Sequence, residues 1–162
     1  MNLKTGMKPG DKASYEDHVK LTEKLPTLKN LLSKTKSVFY RNDNLGNLVD
    51  AQQVGESNMI EVNGTSLGSK LDYAYTIGHE MLHVFDSIYN YPIIKDILGK
   101  TTLGSHGYKF YKEYRSYMWE HGMGNDINVS LYLKGYITPI NQGGVNKVYN
   151  NLIKLNNSVI NP

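Results

Sequence analysis

Apolar positions along this chain change their spacing several times, and each change marks an element. Between Ser69 and Tyr89, the side chains of Leu71, Tyr75, Ile77, Gly78, Leu82, Phe85 and Tyr89 return at helical intervals and give one helix a wall to pack against a core. Ser69 and Asp72 supply its start: the serine oxygen accepts from a first-turn N–H while the carboxylate reaches back to the Ser69 N–H at the positive helix end. Short β-rich runs come before it. Ser37–Arg41, Leu48–Ala51 and Asn58–Val62 read as strands divided by the turn-rich Asn42–Asn47 and closed by Asn63-Gly64, which predicts a small antiparallel or mixed sheet. Further upstream, Ser14 ahead of Glu16 and Asp17 predicts a helix to about Lys24, and Pro26 opens a second through Leu28, Leu31 and Leu32. Residues 1–13, with Pro9-Gly10, read as a flexible lead-in.

Downstream of the long helix, Tyr91-Pro92 breaks the chain, and Pro92–Leu98 makes a brief helix stopped by Gly99. Thr101–Tyr108 reads as a glycine-punctuated loop, and Lys109–His121 as a helix stopped by Gly122. Ile127–Tyr136 has mixed periodicity, helix or strand, and Thr138-Pro139 and Gly143-Gly144 mark turns. Val145–Leu155 closes the chain as a helix on Val148, Leu152 and Leu155. The sum is an α+β fold, expected as a single domain over residues 14–162.

Composition narrows the classes. The 162 residues carry a formal charge of +3 with lysines scattered and no dense basic run, which argues against a nucleic-acid partner. No apolar run approaches the length needed to cross a bilayer, so no membrane insertion is expected. No apolar stretch near Met1 would serve as a secretory leader; export, if it occurs, is expected by a route that needs none or by release from a longer chain. Cysteine is absent, which excludes disulfides and thiolate ligands. Thirteen tyrosines are compatible with a polar cleft lined by rings.

The chemistry concentrates in His79-Glu80-Met81-Leu82-His83. Two imidazoles four residues apart lie one turn apart on one helix face and can grip a single ion. Nitrogen and carboxylate donors suit zinc, which in catalytic sites takes three protein ligands and leaves a position for water or substrate. Glu80 is rotated from the histidines, where it can take a proton from a water on the metal as that water attacks a carbonyl. The third ligand should come from a separate element. Glu113 is the first candidate, with Glu120, His121, His106 and Asp86 as alternatives; Asp86 would equally serve as a partner to a ligand imidazole. Tyr117, one turn after Glu113, and His106 lead the candidates for a donor to the oxyanion, ahead of Tyr108 and Arg115. An edge strand near the metal is expected to pair with an extended peptide.

With these residues in view, the chain resembles the gluzincin-type zinc metallopeptidases. His79-Glu80-Met81-Leu82-His83 matches their His-Glu-x-x-His signature, and Glu113 in Glu113-Tyr114-Arg115-Ser116-Tyr117 resembles the glutamate on their next helix. It is most similar to compact metallopeptidase domains of bacterial effectors and polymorphic toxins, where Glu-x-x-Ala-Tyr often carries the third ligand; Ser116 here occupies the alanine position. The resemblance covers about residues 69–121. The metzincin extension is not met, since Asp86 and Tyr89 stand at its Gly and final His positions, and Lys112 replaces the Asn that precedes the glutamate in thermolysin-like enzymes. It implies His79, His83 and Glu113 as Zn2+ ligands, Glu80 as general base, a protein or peptide substrate, and an inhibitor or immunity protein as a further partner. A catalytically silent interaction domain on the same scaffold and a zinc amidase of cell-wall peptides are the alternatives.

Overall fold

The computed structural model describes residues 3, 10–46, 48–99, 104–142 and 145–162. Two short helices, α1 (Asp17–Lys24) and α2 (Pro26–Thr35), precede strands β1 (Val38–Arg41), β2 (Ala51–Gln53) and β3 (Met59–Val62). The long helix α3 (Lys70–Phe85) runs through a π-helical turn, Asp86–Asn90, into α4 (Tyr91–Gly99). Helices α5 (Gly104–Gly122), α6 (Val129–Gln142) and α7 (Val145–Ser158) complete an α+β architecture.

Each element has a local cause. In α2, Pro26 occupies the first turn, where its missing N–H costs nothing, and Leu28 and Leu31 are fully buried. The sheet order is β1-β3-β2, with β1 parallel and β2 antiparallel to β3, so it is mixed and β2 is an edge. In central β3, Ile60 and Val62 turn into the core while Glu61 turns outward to accept from Gln52 Nε2. Asp43 closes the turn after β1 by accepting from Arg41 and from the Gly64 N–H.

Helix α3 is the axis of the molecule. Its capping box forms as the sequence predicts: Asp72 N–H donates to Ser69 Oγ, and Ser69 N–H donates to the Asp72 carboxylate. Twelve of its residues are buried, from Tyr73 to Phe85, so it packs on several sides: against α2, against β2 and against α5. Gly78 sets the closest approach, because a Cβ placed there would lie 2.1 Å from the Trp119 ring of α5. Within the expected lead-in, Leu3 is buried and its N–H donates to Met123 O, and Asp11 O accepts from Lys70 N–H. Pro9 and most of that stretch lie outside the described residues.

Four expected boundaries are corrected. The second strand is Ala51–Gln53, not Leu48–Ala51; Leu48 is 98% exposed, and the residues that pair with β3 are Ala51 and the polar Gln52 and Gln53. Tyr91-Pro92 does not break the chain. The π turn ahead of it widens the helix by one residue where Pro92 lacks an N–H and would crowd the preceding carbonyl. Helix α5 starts at Gly104, so Gly104–Tyr108 are helical although glycine-rich, held where Gly107 is buried and Tyr111 enters the core; Thr101 to Leu103 lie outside the described residues. Helix α6 runs through Thr138-Pro139, with the Asn128 carbonyl oxygen of its side chain capping Leu131 N–H. The Gly143-Gly144 turn lies outside the described residues.

Candidate metal centre

The floor of the site is α3, and the side chains that complete it arrive from α5. His79, Glu80 and His83 are buried, and one ligand atom from each lies within 4.8 Å of the others, a cluster suited to a divalent metal such as Zn2+. The His79 and His83 rings stand edge to face, 4.6 Å between centroids.

Each imidazole has one nitrogen already assigned. His79 Nδ1 lies 2.6 Å from Glu120 Oε1, so its N–H donates to that carboxylate. Ser116 Oγ donates to the His79 carbonyl at 3.3 Å and is therefore free to accept from His83 Nδ1, 3.2 Å away. Both Nδ1 atoms thus have partners and each Nε2 is left facing the site, the arrangement metal-ligating histidines take. Those two Nε2 atoms converge on one carboxylate: Glu113 Oε2 is 3.3 Å from His79 Nε2, and Glu113 Oε1 is 3.4 Å from His83 Nε2. Such separations are long for charge-assisted hydrogen bonds, yet two donors each about 2.0–2.1 Å from a tetrahedral ion lie about 3.3–3.4 Å apart. The donor set and its spacing fit zinc.

Without an ion, protons take its place between these groups. Burial pushes the His79 imidazole down, but hydrogen bonds to Glu113 and Glu120 and the charge of Glu80 outweigh it and hold the ring above its ordinary value. Burial alone would raise Glu113; the two imidazoles reverse this and hold its carboxyl well below the usual range. The ion-free site is thus a concentration of negative charge tied to two nitrogens.

Glu80 is aimed differently. Its Oε2 accepts from the Gln53 N–H of the edge strand at 2.8 Å. The Gln53 side chain is fastened in turn: Oε1 accepts from Lys112 Nζ at 2.9 Å, and Nε2 donates to Ser57 O and Ser87 Oγ. Edge strand, metal helix and α5 therefore meet at one residue. Above this floor opens a cleft of about 850 Å3 walled by Ala51 and Gln53 on one side and by Lys112, Tyr117, Tyr132 and Tyr136 on the other.

Of the residues singled out in the sequence, His79, Glu80, His83 and Glu113 come together, and Tyr117 joins them with its ring 4.8 Å from that of His79. Burial and then the charges of Glu113 and Glu120 push the Tyr117 phenol well above its usual value, so it stays a donor. His106 sits exposed in the first turns of α5, outside the cleft lining, and His121 is exposed at the helix end. Glu120 orients His79 while its other oxygen accepts from Asn125 Nδ2. Asp86 is fully buried and pairs with Arg115 Nε at 2.7 Å, away from the imidazoles. Three contributors escaped sequence reading: Gln53, whose role lies in a backbone N–H; Ser116, whose departure from alanine was the visible signal; and Tyr136, raised by burial and by the charges of Glu113 and Glu80.

No protein-family model, curated protein or solved structure matches the chain. The His-Glu-x-x-His cluster on α3 is itself the zincin-type metal-binding motif, seated in an α+β fold with a second helix across from it. Among the described residues no helix is long and apolar enough to cross a membrane.

Proposed function

We propose that this chain is a zinc-dependent peptidase of the gluzincin type, with His79, His83 and Glu113 holding the ion and Glu80 as general base. The observation that carries the reading is the convergence of the His79 and His83 Nε2 atoms on both oxygens of Glu113, at the floor of an open cleft. Zinc bound there supplies a Lewis acid that polarises a carbonyl and makes water acidic enough to attack it near neutral pH.

The protein's own groups do the rest. Glu80, with one oxygen fixed by Gln53 N–H, keeps the other to accept the proton of the attacking water and deliver it to the departing amine. Tyr117 and Tyr136, both kept protonated, offer O–H donors to the oxygen on which negative charge develops. The edge strand β2, whose Ala51 and Gln53 line the cleft, supports an extended peptide as substrate.

Glu80→Gln should retain zinc and lose about 10²–10⁴-fold in turnover of an unfolded protein or a mixed peptide library. Equal turnover would remove Glu80 from the role. Glu113→Ala should release zinc, and full occupancy in that variant would move the third ligand elsewhere. The same enzyme incubated with peptidoglycan, products read by mass spectrometry, distinguishes a cell-wall amidase.

A further inference from the structure

A second buried polar cluster, three residues beyond His83 along the helix, joins α5 to the end of the described chain. Asp86 and Asn90, one at each end of the π turn, are both fully buried. Asn90 Nδ2 donates to Asp86 Oδ1 at 2.6 Å and to Ile160 O at 2.9 Å, and Asn90 Oδ1 accepts from Ile160 N–H at 2.8 Å. One side-chain amide thus captures the backbone of residue 160 by both its donor and its acceptor, as a neighbouring strand would. Arg115 completes the grip: Nε donates to Asp86 Oδ2, Nη2 to Ile160 O at 3.2 Å and Nη1 to Asn161 Oδ1 at 3.3 Å.

The placement of these residues matters more than their number. Asp86 follows His83 by three positions, and Arg115 stands between Glu113 and Ser116. The guanidinium therefore ties the π turn that follows α3 to α5, and two more of its nitrogens donate to the terminal segment. Val159, just before the captured residue, is buried with Leu155 among Ile94, Ile97, Leu98 and Tyr111, so the segment is also held by apolar packing on α4 and α5.

We infer that Asp86, Asn90 and Arg115 are positioning residues that make the grip of the metal centre depend on docking of residues 159–161. With the segment in place, all three nitrogens of the Arg115 fork have an acceptor; with it gone, the buried Asn90 amide loses two bonds and, of those three acceptors, Arg115 keeps Asp86 alone. Held by Asp86 alone, the guanidinium loses its fixed orientation, and the spacing between Glu113 and the two imidazoles loosens. This inference rests on His79, His83 and Glu113 being the metal-holding residues.

The test uses the full chain and two substitutions. Ile160→Pro deletes the N–H that meets Asn90 while leaving an exposed side-chain position otherwise undemanding, and Arg115→Lys keeps the charge but not the fork. Imidazole signals of His79 and His83 are followed by NMR in the metal-free proteins, and zinc affinity is measured by competition with a chromophoric chelator. Both variants should shift the His83 signals and weaken zinc binding by about tenfold or more. Wild-type imidazole signals in both variants would overturn the coupling, whether or not zinc binds. Shifted signals in both variants, together with a wild-type protein that takes up no zinc, would keep the coupling and remove the metal reading instead.

Discussion

Gly78→Ala probes the contact on which the whole site depends. The new methyl carbon would lie 2.1 Å from Trp119 Cη2, 2.5 Å from Cζ3 and 3.0 Å from Leu28 Cδ2. Carbon atoms in comfortable contact sit about 3.5–4.0 Å apart, so the indole edge must retreat by roughly 1.5 Å. A flat, rigid ring cannot give that distance by a small torsion, and Trp119 belongs to α5, between Glu113 and Glu120. Two effects compete. Alanine improves helix propensity over glycine by about 1 kcal/mol, whereas overpacking a filled core costs about 1–3 kcal/mol and occasionally more. The clash falls on a ring and a leucine tip at once, so the cost should win, leaving the metal-free protein about 1–2 kcal/mol less stable in urea with an unchanged slope. Zinc affinity should fall as well, because α5 carries Glu113, Ser116 and Glu120 together. Trp119→Leu in the same chain should recover part of both losses, a non-additivity that a merely local defect would not show. A Gly78→Ala protein that is more stable by the propensity gain and binds zinc as tightly as the parent would refute the close-approach argument.

Three further outcomes are expected. Glu120→Gln, which weakens the acceptor of the His79 N–H, should lower zinc affinity by about 10–100-fold while leaving the fold intact by circular dichroism. Gln53→Pro removes the N–H that holds Glu80 at an edge position where proline is tolerated; compared with Gln53→Ala, it should cut kcat with little further change in KM, and identical kinetics for the two would mean that the N–H has no part in aiming the base. The third concerns alkali. Burial pushes the Tyr111 phenol up from 10.0 to about 12, and burial holds Tyr73 well above its usual value. Their folded pKa values exceed the unfolded one, so the stabilisation is complete below pH 10 and is lost as pH rises from there through 12. The melting temperature should fall over that window, and Tyr111→Phe should flatten the decline; an unaltered slope would show that Tyr111 does not titrate there.

What could be read from the sequence was local. The capping box of Ser69 and Asp72, the helical recurrence from Leu71 to Phe85 and the i, i+4 histidines are all satisfied within a few residues, so α3 and its motif were legible. The second strand was misplaced because Leu48-Val49 looks more strand-like than Gln52-Gln53, and pairing with β3 overrode that preference. The first turns of α5 and the Pro139 region of α6 contradict local propensity in the same way. The parts of the site that were not legible are contacts across the fold: Gln53 reaches Glu80 over 27 positions through a backbone group, which no side-chain identity advertises. Gly78 could be seen to sit on the packing wall, but not that an indole ring lies against it.

The imidazoles and the groups that aim them are distant in the chain: 41 positions separate His79 from Glu120, and 33 separate His83 from Ser116. During synthesis, the motif leaves the ribosome well before the partners of its two Nδ1 atoms exist. A half-made chain therefore carries both histidines yet has no defined seat for an ion until α5 has emerged and docked. The order of synthesis therefore makes the motif's metal chemistry conditional on a helix that is translated after it.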